Sequence, residues 1–341
     1  GMMNSHSQDI NTPQGQEQKA IPTNRGDLVA VLINTKLDAL LEATSRSFYP
    51  TLKYLPKKTR GQIGLLYLLA RVADTIADSK HGETEGLLQI LKQYNDVAQG
   101  RSSTLPDFSE ISEIQDNENE AELLRNVEDV VAGLSECDEV DSALILECLE
   151  IIIDGQILDL ERFGTAKEGN SISSLKSEEE LDDYAYRVAG SVGVFWSKMS
   201  LTHLMSLPAE KEEEFLKKGI RFGKALQMIN ILRDIPEDLR FGRCYIPGVT
   251  LADYNLKPED LMDSKNIEKF RPLYDKYLDL TNEHLEAAVD YIRMLPDKQL
   301  RLKASCMLPV LIGQRTVTLL RTGNILDSEE RIKVTRDEIK S

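Results

Sequence analysis

Two short acidic patterns carry the chemical content of this chain. The first, Asp74-Thr-Ile-Ala-Asp78, closes the run GQIGLLYLLARVADTIAD at 61–78. On a helix, Tyr67, Arg71, Asp74 and Asp78 fall at i, i+4, i+7 and i+11 and share one stripe, with the two carboxylates about 6 Å apart along the axis. The other faces of that helix are apolar, with Leu65, Leu66, Leu68, Leu69, Val72 and Ile76 among them. The stripe is therefore expected to line an interior cavity, although a lone DxxxD is as easily a solvated face. In the second pattern, Gln227, Asn230 and Asp234 stand at i, i+3 and i+7, and Asp238 extends the row if the helix continues. Pro236 lies between the two aspartates and removes a backbone donor, so a kink or a break is expected there. Taken alone, this pattern also fits an acidic helix end followed by an arginine-rich turn.

Together the two patterns are more specific than either. Magnesium takes oxygen ligands in octahedral array, with one or two carboxylates, several waters and phosphate oxygens from a substrate. Two inward-facing aspartate rows suit a diphosphate bridged by such ions, and Arg71, Arg233 and Arg243 can fork onto its oxygens. The implied chemistry is ionisation of a diphosphate ester. No GxxxxGK[ST] pattern points to an NTPase instead.

Two further segments are weaker. In YAYRVAGSVGVFW at 184–196, Ala189, Gly190, Ser191 and Gly193 interrupt a helical pattern. Small residues there serve close helix packing or make room for a ligand, and nearby aromatic faces can shield a cation. The segment Thr44-Ser-Arg-Ser-Phe-Tyr-Pro50 puts hydroxyls and Arg46 at a helix end, where they cap the helix or bind phosphate.

The elements that must hold these residues are helical. From Asp27 onward apolar residues recur at helical spacing and strand-like alternation is scarce, so the fold class is all-α. Helices are expected at 27–44, 60–79, 84–99, 119–134, 140–162, 178–206, 209–235, 266–294 and 298–321, roughly nine in all, with polar loops at 100–118 and 163–177. A polar arm over 1–25 is expected to be disordered, a single catalytic domain to occupy 26–325, and a polar tail 326–341.

Composition narrows the function. The chain has 341 residues, 41 of them Lys or Arg and 57 Asp or Glu, for a formal charge of −16. That balance disfavours a nucleic-acid partner, while leaving room for local arginines and a divalent cation to reverse the field in one cleft. Cys137, Cys148, Cys244 and Cys306 form no CxxC pair and the histidines are scattered, which argues against zinc. Without a leader-like or membrane-spanning apolar run, a cytoplasmic protein is expected.

In kind, order and spacing, SRSF at 45–48, DTIAD at 74–78, YAYRVAGSVG at 184–193 and NILRDIPEDLRFGRCYIP at 230–247 resemble the squalene/phytoene synthase family. The resemblance implies a single-domain, class I isoprenoid synthase-like helical fold with a central active-site cavity. It implies Asp74, Asp78, Asp234 and Asp238 as Mg2+ ligands and catalytic residues, with Tyr184 a candidate for acid/base work. Ser45, Arg46, Phe48, Tyr67, Arg71, Gln227, Asn230, Arg233, Arg243 and Tyr245 would bind the prenyl diphosphate substrates. One departure is Arg187, where eukaryotic squalene synthases have a tyrosine before Val-Ala-Gly; Tyr184, Tyr186 or the released diphosphate would then supply the base.

By the same resemblance, two farnesyl diphosphates are joined head to head through presqualene diphosphate, and NADPH serves if the product is squalene. No GxGxxG pattern marks a nucleotide site. The alternatives are phytoene from two geranylgeranyl diphosphates and, from a different class, a non-catalytic helical assembly factor of the same fold. The C-terminal membrane anchor of eukaryotic relatives is not expected, and contact with a membrane would be peripheral.

Overall fold

Apolar periodicity sets the helices, and proline, glycine and short polar stretches end them. The computed structural model describes residues 34–45, 48–327 and 329–330; the expected N-terminal arm, the start of the first helix, Arg46 and nearly all of the expected tail lie outside these. Among the described residues the helices are α1 (Thr35–Ser45), α2 (Tyr49–Tyr54), α3 (Lys57–Ala77), α4 (Thr84–Ala98), α5 (Ser109–Glu113), α6 (Glu118–Arg125), α7 (Val127–Ala132) and α8 (Glu139–Glu168). They continue with α9 (Glu178–Ala185), α10 (Ser191–His203), α11 (Ala209–Arg233), α12 (Ile235–Arg240), α13 (Gly248–Asp253), α14 (Ile267–Arg293) and α15 (Leu300–Thr322). The expected all-α, single-domain architecture is what the structure shows.

Helix α3 is the axis of the N-terminal half. Every residue from Gly61 to Ala77 is buried, so the helix is sheathed on all sides and its polar stripe faces the interior. Against it packs α8, whose first turn is capped by Asp138, its carboxylate accepting from the Asp141 N–H at 2.8 Å. Helices α11 and α14 form the axis of the other half, and the apolar core divides into two clusters around these pairs. Ile325 and Leu326 are buried in the second cluster, so packed structure reaches the first residue of the expected tail.

Several boundaries differ from the sequence expectation. The 178–206 helix is continuous but contains a π-turn over Tyr186–Gly190, one widened turn next to Tyr184. The 119–134 segment breaks into α6 and α7 at Asn126, whose amide donates back to Glu122 O at 2.8 Å. A short helix, α5, stands inside the expected 100–118 loop. Helix α8 runs to Glu168, past the expected end at 162. The break foreseen at Pro236 is present: α11 stops at Arg233, Asp234 lies between helices, and α12 restarts with Pro236 in its first turn.

Two structural details position the site. Residues Ser173–Ser174 (β1) and Arg243–Cys244 (β2) pair in parallel, with the Ser173 N–H donating to Gly242 O and the Leu175 N–H to Cys244 O, each at 3.0 Å. Gly242 sits at φ +82°, a left-handed conformation that favours glycine and lets the chain turn from α12 into β2. At the crossing of α10 and α11, a Cβ on Gly193 would lie 1.9 Å from Gly219 O, and one on Gly223 2.1 Å from Ala189 O. The small residues of the 184–196 segment thus let two backbones touch.

Candidate active site

A cleft of about 700 Å³ opens where these parts meet. Helix α3 and the residue that caps its end contribute Arg71 and Asp78 to its wall, α11 contributes Gln227 and Asn230, the α11–α12 break contributes Asp234, and α12 contributes Asp238. From α9 comes Tyr184, and from β2 and the residue after it come Arg243 and Tyr245. Asp78, Asp234 and Asp238 thus face one volume, while Asp74 lies outside its lining.

Each acidic group has a distinct environment. Asp74 is 5% exposed and accepts a hydrogen bond from the Gln156 side-chain amide of α8. Burial raises its pKa to about 6, and neighbouring Asp78 adds to the rise. Asp78 is more exposed, and although desolvation acts to raise it, the Arg243 guanidinium, 2.9 Å away, holds it below the usual carboxylate range. Asp238 is pushed well above that range by burial and by Asp234. Asp234 is gripped by its neighbour Arg233 through two bonds of 2.8 and 3.0 Å.

Arg243 is the best-anchored cation at the cleft. It donates to Asp78 and to Ala77 O, lies 3.9 Å from the Asp159 carboxylate, and covers the Phe241 ring at 4.5 Å. Arg71 lines the cleft but is paired with Glu120 of α6. The Tyr184 and Tyr245 rings stack at 4.8 Å, and the Tyr245 hydroxyl donates to Asp159 Oδ2 at 2.5 Å. Burial, then Asp159, pushes both phenols far above their ordinary pKa.

Some candidates stand elsewhere. The Ser45 hydroxyl donates to Leu41 O within its own helix, the local capping use of such residues, while its neighbour Thr44 lines the cleft. Phe48 and Tyr67 stack on each other with centroids 5.7 Å apart, behind the cleft wall. Phe48 instead lines a second, apolar cavity of about 40 Å³ with Trp196, Phe222 and Tyr291. Arg233 is turned to Asp234 and lies outside the cleft lining, and Arg46 lies outside the described residues. Arg187 pairs with Asp183 at 2.7 Å.

Other cleft residues were not singled out from the sequence. Gln156, in the lining, and Asp159, behind it, sit three apart on the buried face of α8, among Ile152, Ile153, Leu160 and Phe163. Two polar residues in register with that apolar face were the available signal. Lys167, from the unforeseen last turn of α8, lines the cleft and donates to Ser79 O at 2.7 Å, with burial lowering its pKa.

The donor set bears on a metal. Cleft oxygens come from carboxylates and amides, with no Cys or His in the lining, which suits a hard divalent cation. Gln227 Oε1 and Asn230 Nδ2 are buried without a hydrogen-bond partner among the described residues, polar atoms awaiting a ligand. No three His, Cys, Asp or Glu side chains among the described residues form a metal cage, so any ion here completes its shell with other oxygens. Among the described residues, no helix is long and apolar enough to cross a membrane.

A family model for squalene/phytoene synthase matches residues 41–338. A bifunctional lycopene cyclase/phytoene synthase of Colletotrichum graminicola is 27% identical over 282 residues, covering 82% of this chain and 46% of the relative. A 15-cis-phytoene synthase of Synechocystis is 28% identical over 264 residues, covering 74% and 66%. The chain thus spans less than two thirds of these relatives. In fold, a ligand complex of TcSQS superposes with TM-score 0.74 at 19% identity, covering 92% of this chain and 84% of that one.

Proposed function

Because the chain belongs to the squalene/phytoene synthase family, we propose that it condenses two allylic prenyl diphosphates head to head. The observation that carries this reading is the convergence of Asp78, Asp234 and Asp238 on one cleft beside Arg243, with Asp74 bonded to the cleft residue Gln156. Mg2+ held by those four aspartates would supply the positive charge that draws the diphosphate away from its allylic carbon.

The chain's own groups do the rest. Arg243, oriented by Asp78 and Ala77 O, presents fixed donors to diphosphate oxygens where burial strengthens the attraction. Arg71 joins it by exchanging Glu120 for phosphate oxygen. The stacked Tyr184 and Tyr245 offer electron-rich faces to an allylic cation, and the apolar wall keeps out water that would capture it.

Farnesyl diphosphate is the substrate this reading favours, leading through presqualene diphosphate to squalene, with NADPH as reductant for the last step. That preference rests on the aspartate motifs and their flanking segments, because the apolar cavity of about 40 Å³ holds neither prenyl chain as it stands. The named phytoene synthases among the relatives support a second reading, with geranylgeranyl diphosphate as substrate. Comparing kcat/KM for the two diphosphates in Mg2+ decides between them: the first reading expects a preference for farnesyl, and a preference for geranylgeranyl establishes the second. Mg2+-dependent protection against thermal unfolding by an unreactive thiolodiphosphate analogue is expected on either. Absence of protection at saturating analogue favours a non-catalytic assembly factor.

A further inference from the structure

Asp159 lies directly beneath the cleft wall, is 0% exposed, and has no part in the carboxylate rows described above. Its Oδ2 accepts the Tyr245 hydroxyl at 2.5 Å and lies 3.9 Å from Arg243, which also donates to Asp78 and to Ala77 O. Its Oδ1 accepts no hydrogen bond among the described residues. An unmet buried acceptor is costly, so a fully buried carboxylate that keeps one calls for a physical account. Asp159 instead spends its one strong bond on a residue that lines the cleft.

That bond fixes a direction. A phenol carries one proton, so a Tyr245 hydroxyl committed to Asp159 leaves its oxygen as an acceptor. The Tyr184 hydroxyl is 3.3 Å from that oxygen, and the two rings are stacked within 20° of parallel. Asp159 thereby holds Tyr245, and through it Tyr184, in one orientation, while its charge helps aim Arg243 at the cleft.

Building on the proposed diphosphate chemistry, we infer that Asp159 is a positioning residue that acts through Tyr245. It sets the tyrosine pair that faces the reacting prenyl chain and never touches substrate itself. The group is recognisable only in the fold, since it comes from the middle of α8 and its partner from the residue after β2.

The test is a double-mutant cycle with Asp159→Asn and Tyr245→Phe, measured with Mg2+ and the prenyl diphosphate the wild type uses. Each single variant should lower kcat by about tenfold or more with KM little changed, and the double variant should be no slower than Tyr245→Phe alone. Losses that multiply, or Asp159→Asn turnover within about twofold of wild type, overturn the inference. A wild type inert to every prenyl diphosphate would instead remove the proposed function. The cycle is then read by thermal unfolding of the free protein, where non-additive shifts support the Asp159–Tyr245 link and additive shifts refute it.

Discussion

Helix α8 carries two fully buried aspartates that behave as opposites. Asp141, in its first turn, accepts from Gln62 at 2.9 Å and contacts His203 Nε2 at 2.8 and 3.0 Å, tying α3, α8 and α10 together far from the cleft. Asp159, five turns on, keeps one oxygen without a hydrogen bond and sits among Arg243, Tyr245 and Tyr184. Burial is the same for both, so burial alone does not mark function. What separates them is whether neighbours from other helices bond both carboxylate oxygens, as at Asp141, or leave one without a hydrogen bond beside other carboxylates, as at Asp159.

The strongest way to break this contrast is to remove charge from the carboxylate rows. Asp74→Asn or Asp234→Asn should cut Mg2+-dependent turnover by about a thousandfold, ~4 kcal/mol of transition-state stabilisation, while the thermal midpoint stays close to wild type. Near-normal turnover in both variants would remove these residues from the metal site. At the saturated pole, Asp141→Ala should do the reverse. Losing a bonded buried carboxylate costs about 3 kcal/mol of stability, read by denaturant unfolding, with kcat of the folded fraction retained. A kcat loss without destabilisation would place Asp141 in the reaction.

Between the poles, Gly193→Ala should destabilise by about 1–3 kcal/mol, because its Cβ would meet the Gly219 carbonyl oxygen at 1.9 Å. A neutral result in the same unfolding measurement would show that α10 and α11 part readily. The last effect is a slope with pH. Burial raises Asp159 to about 6 from an ordinary 3.8, so the folded state binds its proton more tightly than the unfolded state. Stability from that group is complete below about pH 4 and declines as pH rises towards 6, by up to ~1.4 kcal/mol per unit. Asp159→Asn should lack this slope, and equal slopes in wild type and variant would contradict the assignment.

The polar stripe of α3 was legible because four polar residues at helical spacing stand in a run that is otherwise apolar, and burial of every residue from Gly61 to Ala77 follows from it. The interruption at Pro236 was legible too, since the ring forbids an interior helical bond. Asp159 and Gln156 were not, because two polar residues in a 30-residue helix carry little weight until a partner comes from 86 residues away in sequence. The β1–β2 pair that sets Arg243 and Tyr245 is two residues long on each side, below any periodic signal. For the small residues at 189–193, packing and ligand space remained equal until the backbones of α10 and α11 were seen in contact.

The most direct test of the central claim is to incubate the purified protein with Mg2+ and labelled farnesyl diphosphate, with and without NADPH, and to analyse the extracted lipids by mass. The account predicts presqualene diphosphate without NADPH and squalene with it. Recovery of farnesyl diphosphate unchanged in both conditions would contradict it.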